Sequence, residues 1–326
     1  MNRLALLSES QLTSILVTGA NGFIGKAITE HLHSLKVCTL GACRNPANSP
    51  GEVRSPSLGE LSNWIPILMG KSIVIHTAGR AHITDNAMND PMKLFREINT
   101  AGTLRLAKQA ANSGVRRFIF LSSIGVNGTH STKPFNEADT CQPAEPYAVS
   151  KLEAEKGLME LSQETKMEVV IIRPPLVYGP CAPGNFGKLS NAVRRGTPLP
   201  LGAVTENRRT LVGLGNLVDL IVTCAYHPAA ANQVFLAGDD EDLSTADLLR
   251  RMAKAFDVTP RLPPVPVALL KAIARAAGKG DMIDRLCGSL QVDISKAQEV
   301  LGWTPPISVD EGLRRAAEVF RREATV

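Results

Sequence analysis

None of the six cysteines (Cys38, Cys43, Cys141, Cys181, Cys224, Cys287) belongs to a CxxC pair, and none has a histidine at metal-ligand spacing. That excludes the common zinc frameworks, so the thiols read as reduced and buried or incidental, and no metal is expected. The first residues, MNRLALLSESQLTSILVTG, lack a long apolar run and a small-residue cleavage site. No secretory signal is read there, and a cytoplasmic setting is expected. The most apolar late stretch, Pro266 to Gly278, is short and carries Lys271 and Arg275. It reads as a helix packed on a surface, with no membrane span. Basic residues fall in scattered pairs such as Arg194-Arg195, Arg208-Arg209 and Arg321-Arg322. A net charge of +5 distributed this way suits small anionic ligands and argues against nucleic acid. Internal repeats, low-complexity tracts and long charge blocks are also missing.

What the chain does have is the ordinary stock of a globular protein: 326 residues, 44% apolar and 21% charged, enough for one large core or two adjoining domains. Short apolar runs at Ser14–Thr18, Val37–Ala42, Ile73–Thr77, Arg117–Leu121 and Glu168–Arg173 read as strands. Helical patterns lie between them at Gly22–Leu35, Pro91–Ser113 and Tyr147–Thr165. This alternation implies βαβ units and an α/β fold, a doubly wound parallel sheet covered on both faces. After Arg173, proline and glycine pairs break the chain into short pieces. A strand-like return follows at Gln233–Ala237, then a helix from Ser244 to Phe256 with Ser244 as its cap. The expected organisation is a cofactor domain over residues 1–176 with a return segment at 212–237, and a smaller substrate-binding lobe over 177–326.

Ile15-Leu16-Val17-Thr18 runs directly into Gly19-Ala20-Asn21-Gly22-Phe23-Ile24-Gly25 and then a helix. Gly19 permits the tight turn, Gly22 lets backbone approach a pyrophosphate, and Gly25 lets the helix pack on the strand. Free N–H groups and the helix dipole favour the anion. The placement points to a Rossmann-type dinucleotide site. Where an NAD site usually offers a carboxylate to the adenosine ribose, the second strand ends in Cys43 and Arg44. With no carboxylate to repel a 2′-phosphate and a guanidinium to pair with it, NADP(H) is favoured over NAD(H).

Tyr147-Ala148-Val149-Ser150-Lys151 puts a phenol and an ammonium one helical turn apart, and Phe118 to Leu121 leads into Ser122-Ser123 at the carboxyl edge of the sheet. Reduction of a carbonyl needs a proton donor beside the oxygen that gains charge. A nearby ammonium stabilises the phenolate, and Ser123 adds a hydrogen bond to that oxygen. Ser123, Tyr147 and Lys151 are therefore the candidate catalytic set.

These features resemble the extended short-chain dehydrogenase/reductases, the sugar-nucleotide epimerase, dehydratase and reductase family, over nearly the whole chain. Thr18–Gly25 resembles its phosphate turn, His76-Thr77-Ala78-Gly79 the loop after its fourth strand, and Asn99 sits in a segment similar to NxxGT. Ser122 to Gly128 resembles SSxxVYG, and Arg173 to Pro180 resembles RxxNVYGP with Leu176 in place of Asn. Asp293-Ile294-Ser295-Lys296-Ala297 with Leu301-Gly302-Trp303 resembles the family's carboxyl-terminal pattern. The resemblance implies that Gly19, Asn21, Gly22, Phe23, Ile24, Gly25, Arg44, Ala78, Gly79, Asn99, Tyr147, Lys151 and Pro174 meet the cofactor. It implies Ser123, Asn185, Arg209 and Arg285 for the substrate, a UDP-sugar, with Arg209 on the diphosphate and its side chain facing the mouth of the sheet. His82 falls near the expected substrate mouth, and a homodimer is expected.

Among the family's reactions, 4,6-dehydration uses an acidic pair just after the catalytic serine, and Ser123-Ile124-Gly125 has no carboxylate. The Cys43-Arg44 ending favours NADPH, and with it reduction. Further stretches, such as Asn185 to Lys188 and Arg208 to Val212, resemble bacterial 4-reductases of UDP-2-acetamido-2,6-dideoxy-hexos-4-ulose, enzymes of surface polysaccharide (O-antigen) synthesis. That 4-ketoreductase is the expected activity. The alternatives are a UDP-hexose or UDP-HexNAc 4-epimerase with tightly bound NAD and, more remotely, a non-catalytic NADP-sensing regulator.

Overall fold

The computed structural model describes residues 13–46, 51–81 and 90–323; His82 lies outside them. Among the described residues ten strands occur in the order β1 Ser14–Thr18, β2 Cys38–Cys43, β3 Glu52–Arg54, β4 Ile73–His76, β5 Arg117–Leu121, β6 Glu168–Arg173, β7 Leu176–Tyr178, β8 Arg209–Gly213, β9 Gln233–Leu236 and β10 Asp242–Leu243. Seven of them form one sheet in the order β3-β2-β1-β4-β5-β6-β9, all parallel. Chain direction along the sheet reverses between β1 and β4, the crevice where doubly wound folds bind ligands. The fold is therefore the α/β, Rossmann-type sheet that the alternation implied.

The central strands are apolar throughout because both faces are covered. Leu16, Val74, Phe118, Phe120, Val169 and Ile171 point to one side, into a core shared with helices Gly102–Asn112 and Pro146–Glu164. Ile15, Val17, Ile73, Ile75, Ile119, Val170 and Ile172 point to the other, where helix Phe23–Ser34 packs. Helix Leu214–Tyr226 joins that second face through Leu217, Leu220 and Ile221. A third buried cluster gathers around Tyr178, Phe186, Leu211, Leu249, Met252 and Leu313, while Ile294, Ala297, Leu301 and Trp303 pack on the second face of the sheet. A smaller sheet has the order β10-β8-β7.

Two local outcomes test the residue-level reading. Ser244 caps its helix as expected, accepting from the Asp247 N–H at 3.0 Å. The single helix expected over Pro91–Ser113 is instead Pro91–Phe95, a π-helical stretch Arg96–Ala101, and Gly102–Asn112. The wider turn carries Asn99, which is buried and hydrogen-bonded to two other segments. That is a tertiary demand, invisible to a periodicity reading.

Arg117, 1% exposed at the start of β5, is the strut that fixes helix Leu214–Tyr226 to the sheet. Its Nη1 donates to the carbonyls of Cys224 and His227 at 2.7 and 2.9 Å, and its Nε to Glu168 at 2.7 Å. Removing a buried cation with three charge-assisted bonds leaves two helix-end carbonyls unsatisfied. Arg117→Met is expected to lower the free energy of unfolding by about 2–4 kcal/mol, measured by urea titration.

Candidate active site

The glycine turn closes on itself in a way that only glycines allow. Gly19 sits at φ +72°, and a Cβ there would lie 2.9 Å from both the Ala78 nitrogen and Thr77 Oγ1. A Cβ on Gly25 would fall onto the Gly19 carbonyl, so the helix axis lies too close to β1 for any side chain. Gly22 is the N-cap of helix Phe23–Ser34; it makes no side-chain cap bond, and the first turn has no acidic residue. The N–H groups of Phe23, Ile24 and Gly25 therefore have no helical partner, and Asn21 and Gly22 are exposed beside them. A cradle of free amides at a helix dipole fits the pyrophosphate of a dinucleotide.

At the end of β2, Cys43 is 2% exposed and burial pushes its thiol up, with Glu52 adding to the effect. Arg44 follows it and is exposed. The structure adds a residue that the sequence reading missed: edge strand β3 places Arg54, also exposed, in register with Cys43. A three-residue strand carries no periodicity by which to find it.

Four segments meet at the carboxyl edge of β1, β4 and β5. Lys151 is 4% exposed, and its Nζ donates to the Leu121 carbonyl at 2.8 Å and lies 4.4 Å from the Phe120 ring centroid. The same nitrogen is 5.9 Å from the Tyr147 ring centroid. Burial draws the ammonium down to about 8, with Glu155 acting in the opposite direction. Burial alone pushes the Tyr147 phenol up to about 12. The Phe95 ring meets Tyr147 edge-on at 6.0 Å. Ser123 begins the turn after β5 and accepts from the Gly125 N–H at 3.1 Å. A Cβ on Gly125 would touch both Ser123 Oγ and Ala148, so the serine turn and the start of the tyrosine helix are neighbours. Ser122 Oγ is buried and has no hydrogen-bond partner.

The neighbours of this set hold it in place. Gly79 passes so close that a Cβ would lie 3.2 Å from Asn99 Oδ1 and 3.6 Å from Lys151 Nζ. Asn99, expected as a cofactor contact, has both amide hydrogens committed to the Arg80 carbonyl and Ser150 Oγ, and it accepts from the Arg80 N–H. It ties the loop after β4 to helix Pro146–Glu164. His76 is fully buried between Thr18 and Thr103, and burial, then the charge of Lys151, lowers it to about 3, so it stays neutral. Pro174 is buried, and its carbonyl accepts from the Ile124 N–H at 2.9 Å.

On the lobe side, a cleft of about 650 Å³ is lined by Thr129, His130, Glu145, Lys271, Asp284 and Arg285, among others. Arg285 pairs with Glu145, the residue before helix Pro146–Glu164, and so bridges the two halves of the cleft. Arg209, expected on the diphosphate, donates from Nη1 to the carbonyls of Arg285 and Gly288 at 2.6 and 3.1 Å. These bonds hold it against helix Gly280–Cys287, which carries Arg285, and it is not among the residues that line this cleft. Asn185 is exposed at the start of helix Gly184–Arg194 and does not line the cleft either. Among the described residues no His, Cys, Asp or Glu cluster is placed to hold a metal ion, and no helix is long and apolar enough to cross a membrane.

Lys151 titrates with an unusual sign. Because folding lowers its proton affinity, the unfolded chain binds the proton more tightly between pH 8 and 10.5, and stability rises across that window. At pH 7 the buried ammonium is a burden on folding. Lys151→Met is expected to be more stable than the wild type there by about 1–3 kcal/mol, the advantage fading above pH 8. Urea titrations at several pH values test this; a variant less stable at pH 7 would show the ammonium to be net stabilising.

Comparison with known proteins agrees with this geometry. Residues 15–238 match the NAD dependent epimerase/dehydratase family. A UDP-glucose 4-epimerase of Vibrio cholerae is 46% identical over 318 residues, covering 94% of this chain and 95% of that protein. In fold, the chain is similar to a UDP-glucose 4-epimerase of Thermotoga maritima solved with UDP-glucose (TM-score 0.75, 23% identity, 96% and 100% coverage). It is also similar to a UDP-N-acetylglucosamine 4-epimerase of Bacillus cereus (TM-score 0.78, 18% identity, 95% and 99% coverage). With more than half of its length matched and its glycine turn and Ser–Tyr–Lys edge in place, the chain belongs to the NAD dependent epimerase/dehydratase family.

Proposed function

We propose that the protein is a UDP-hexose 4-epimerase, acting on a hexose or N-acetylhexosamine with a nicotinamide dinucleotide retained through the cycle. The observation that carries this reading is the 46% identity to a UDP-glucose 4-epimerase along 94% of the chain. It displaces the 4-ketoreductase expected from Arg44. A homodimer in the cytoplasm belongs to the same reading.

A dinucleotide held by the Gly19–Gly25 turn would supply reversible hydride transfer at C4 of the sugar. Tyr147 removes the proton of the 4-hydroxyl and later restores it. Ser123 hydrogen-bonds the same oxygen while it is a ketone. A lysine near 8 remains largely protonated at pH 7, so Lys151 supplies the cation that lowers the cost of the Tyr147 phenolate. Arg285 and Lys271, on the lobe side of the cleft, are the cations for the UDP diphosphate, with Arg209 supporting the Arg285 turn from below.

The purified protein, given UDP-glucose or UDP-N-acetylglucosamine without added reductant, is expected to yield the 4-epimer by NMR. Tyr147→Phe should lower kcat by about 10²–10⁴-fold while dinucleotide binding persists. If the protein leaves both sugars unchanged and instead consumes NADPH with a UDP-4-keto-6-deoxy-hexosamine, the epimerase reading fails.

One observation favours that second reading. Arg44 and Arg54 both stand exposed at the adenosine-ribose end, with no carboxylate following Cys43. If they hold a 2′-phosphate, the Arg44→Ala/Arg54→Ala protein loses NADPH affinity by about tenfold or more, with NADH affinity unchanged. Equal losses for both cofactors would remove this support.

A further inference from the structure

Residues 258–280 hold Arg261, Lys271, Arg275 and Lys279 and no aspartate or glutamate. The remainder of the chain has 32 lysines and arginines against 31 acids, so nearly all of the net charge of +5 sits in this one segment. The positive excess is therefore local, where the scattered basic pairs suggested a diffuse one.

The segment's helix, Val267–Ala276, turns an apolar face outward. Leu270, 8% exposed, anchors it in the lobe core. Leu269, Ala272, Ile273 and Ala276, at i, i+3, i+4 and i+7, form one stripe, and all four are exposed. Leu269 and Ile273 are 51% and 58% exposed, and Met282 on the next helix is 52% exposed. Arg275 and Lys279 are exposed beside them. Lys271 and Arg275 approach Asp284 only loosely, at 3.4 and 3.6 Å, and keep accessible heads.

An apolar stripe flanked by Arg261, Lys271, Arg275 and Lys279, which outnumber the neighbouring Asp281 and Asp284, matches the interface of an anionic bilayer. The apolar side chains enter the acyl boundary while the cations meet headgroup phosphates. A second copy is a poor occupant, because a two-fold contact through this face would set one net positive surface, four cations to two acids, against another. We infer that helix Val267–Ala276 and its flanks dock the protein on an anionic lipid surface. The same helix and its successor line the substrate cleft through Lys271, Asp284 and Arg285, so docking sets that cleft beside the headgroups. The inference is independent of which sugar or reaction the site serves.

Flotation of the purified full chain with vesicles tests it. At low ionic strength the protein should partition onto phosphatidylglycerol-containing vesicles about tenfold more than onto phosphatidylcholine vesicles, and release as salt rises. Leu269→Glu/Ile273→Glu, at exposed positions, should reduce that binding about tenfold or more with an unchanged melting temperature. Arg275→Glu/Lys279→Glu should erase the preference for anionic vesicles, which keeps the test decisive if the first variant folds poorly. Absence of vesicle binding, equal binding to both lipids, or variants that bind like the wild type would overturn the proposal. So would a concentration-dependent dimer that the Leu269→Glu/Ile273→Glu protein no longer forms, in the absence of vesicle binding.

Discussion

A charged ammonium held almost out of water is the constraint around which the rest of this site is arranged. Lys151 is 4% exposed, and its proton is retained because the Leu121 carbonyl accepts from it and the Phe120 face lies over it. One helical turn further on, Glu155 returns negative charge to the same buried face and is itself held by Arg173 at the end of β6. Arg173 in turn donates to Asn127 and to Cys141. The result is a buried polar seam that pins the inner face of helix Pro146–Glu164 to the carboxyl ends of β5 and β6. Each member is satisfied only if the others are in place, which is how such seams fix one arrangement.

The sheet explains why the chemistry gathers at one edge. With β1, β4, β5 and β6 apolar on both faces, a polar side chain has no place along their length and appears where the strands end. Thr18, His76, Leu121 and Arg173 are the last residues of those strands, and the glycine turn, the Gly79 loop, the Ser123 turn and Pro174 follow directly. Arg117 stands at the opposite edge and does structural work, holding helix Leu214–Tyr226. That helix enters from the end of β8 in the lobe, where Asp239 accepts from Gly213, Asn216 and Tyr178. The lobe is thus tied to the sheet by a satisfied buried carboxylate at one point, and by Arg285 and Glu145 across the cleft at another.

Much of this could be read from the chain because the signals were local. The boundaries of β1, β5 and β6 follow from apolar runs alone, and the Gly19-to-Gly25 spacing announces a turn that the structure shows to be sterically obligatory. The Ser244 cap and the existence of a helix after Pro266 were equally local, though not the outward turn of its apolar stripe. Other features depended on what lies across space. β3 and Arg54 take their meaning from Cys43, the π-helical turn from the partners of Asn99, and the role of Arg209 from two carbonyls near residue 285. Charge along the chain was misjudged for a different reason. Looking for basic runs overlooks a segment whose distinction is the absence of acids.

The acid–base set does not by itself choose between epimerisation and reduction. A phenol that gives a proton to a C4 oxygen in one direction takes it back in the other, and Lys151 serves both. What separates the two outcomes is the lifetime of the dinucleotide on the protein. Epimerisation requires the same molecule to receive and return a hydride, so its grip must outlast the turning of the ketone. Reduction requires it to leave after each cycle. That grip is decided far from Tyr147, at the glycine turn and at the ends of β2 and β3. Here Gly19 and Gly25 leave no room for a Cβ, whereas Arg44 and Arg54 stand open to solvent. Those glycine contacts are between protein atoms, so the grip on a dinucleotide is set by the free amides of the turn and by what Arg44 and Arg54 add at the ribose end.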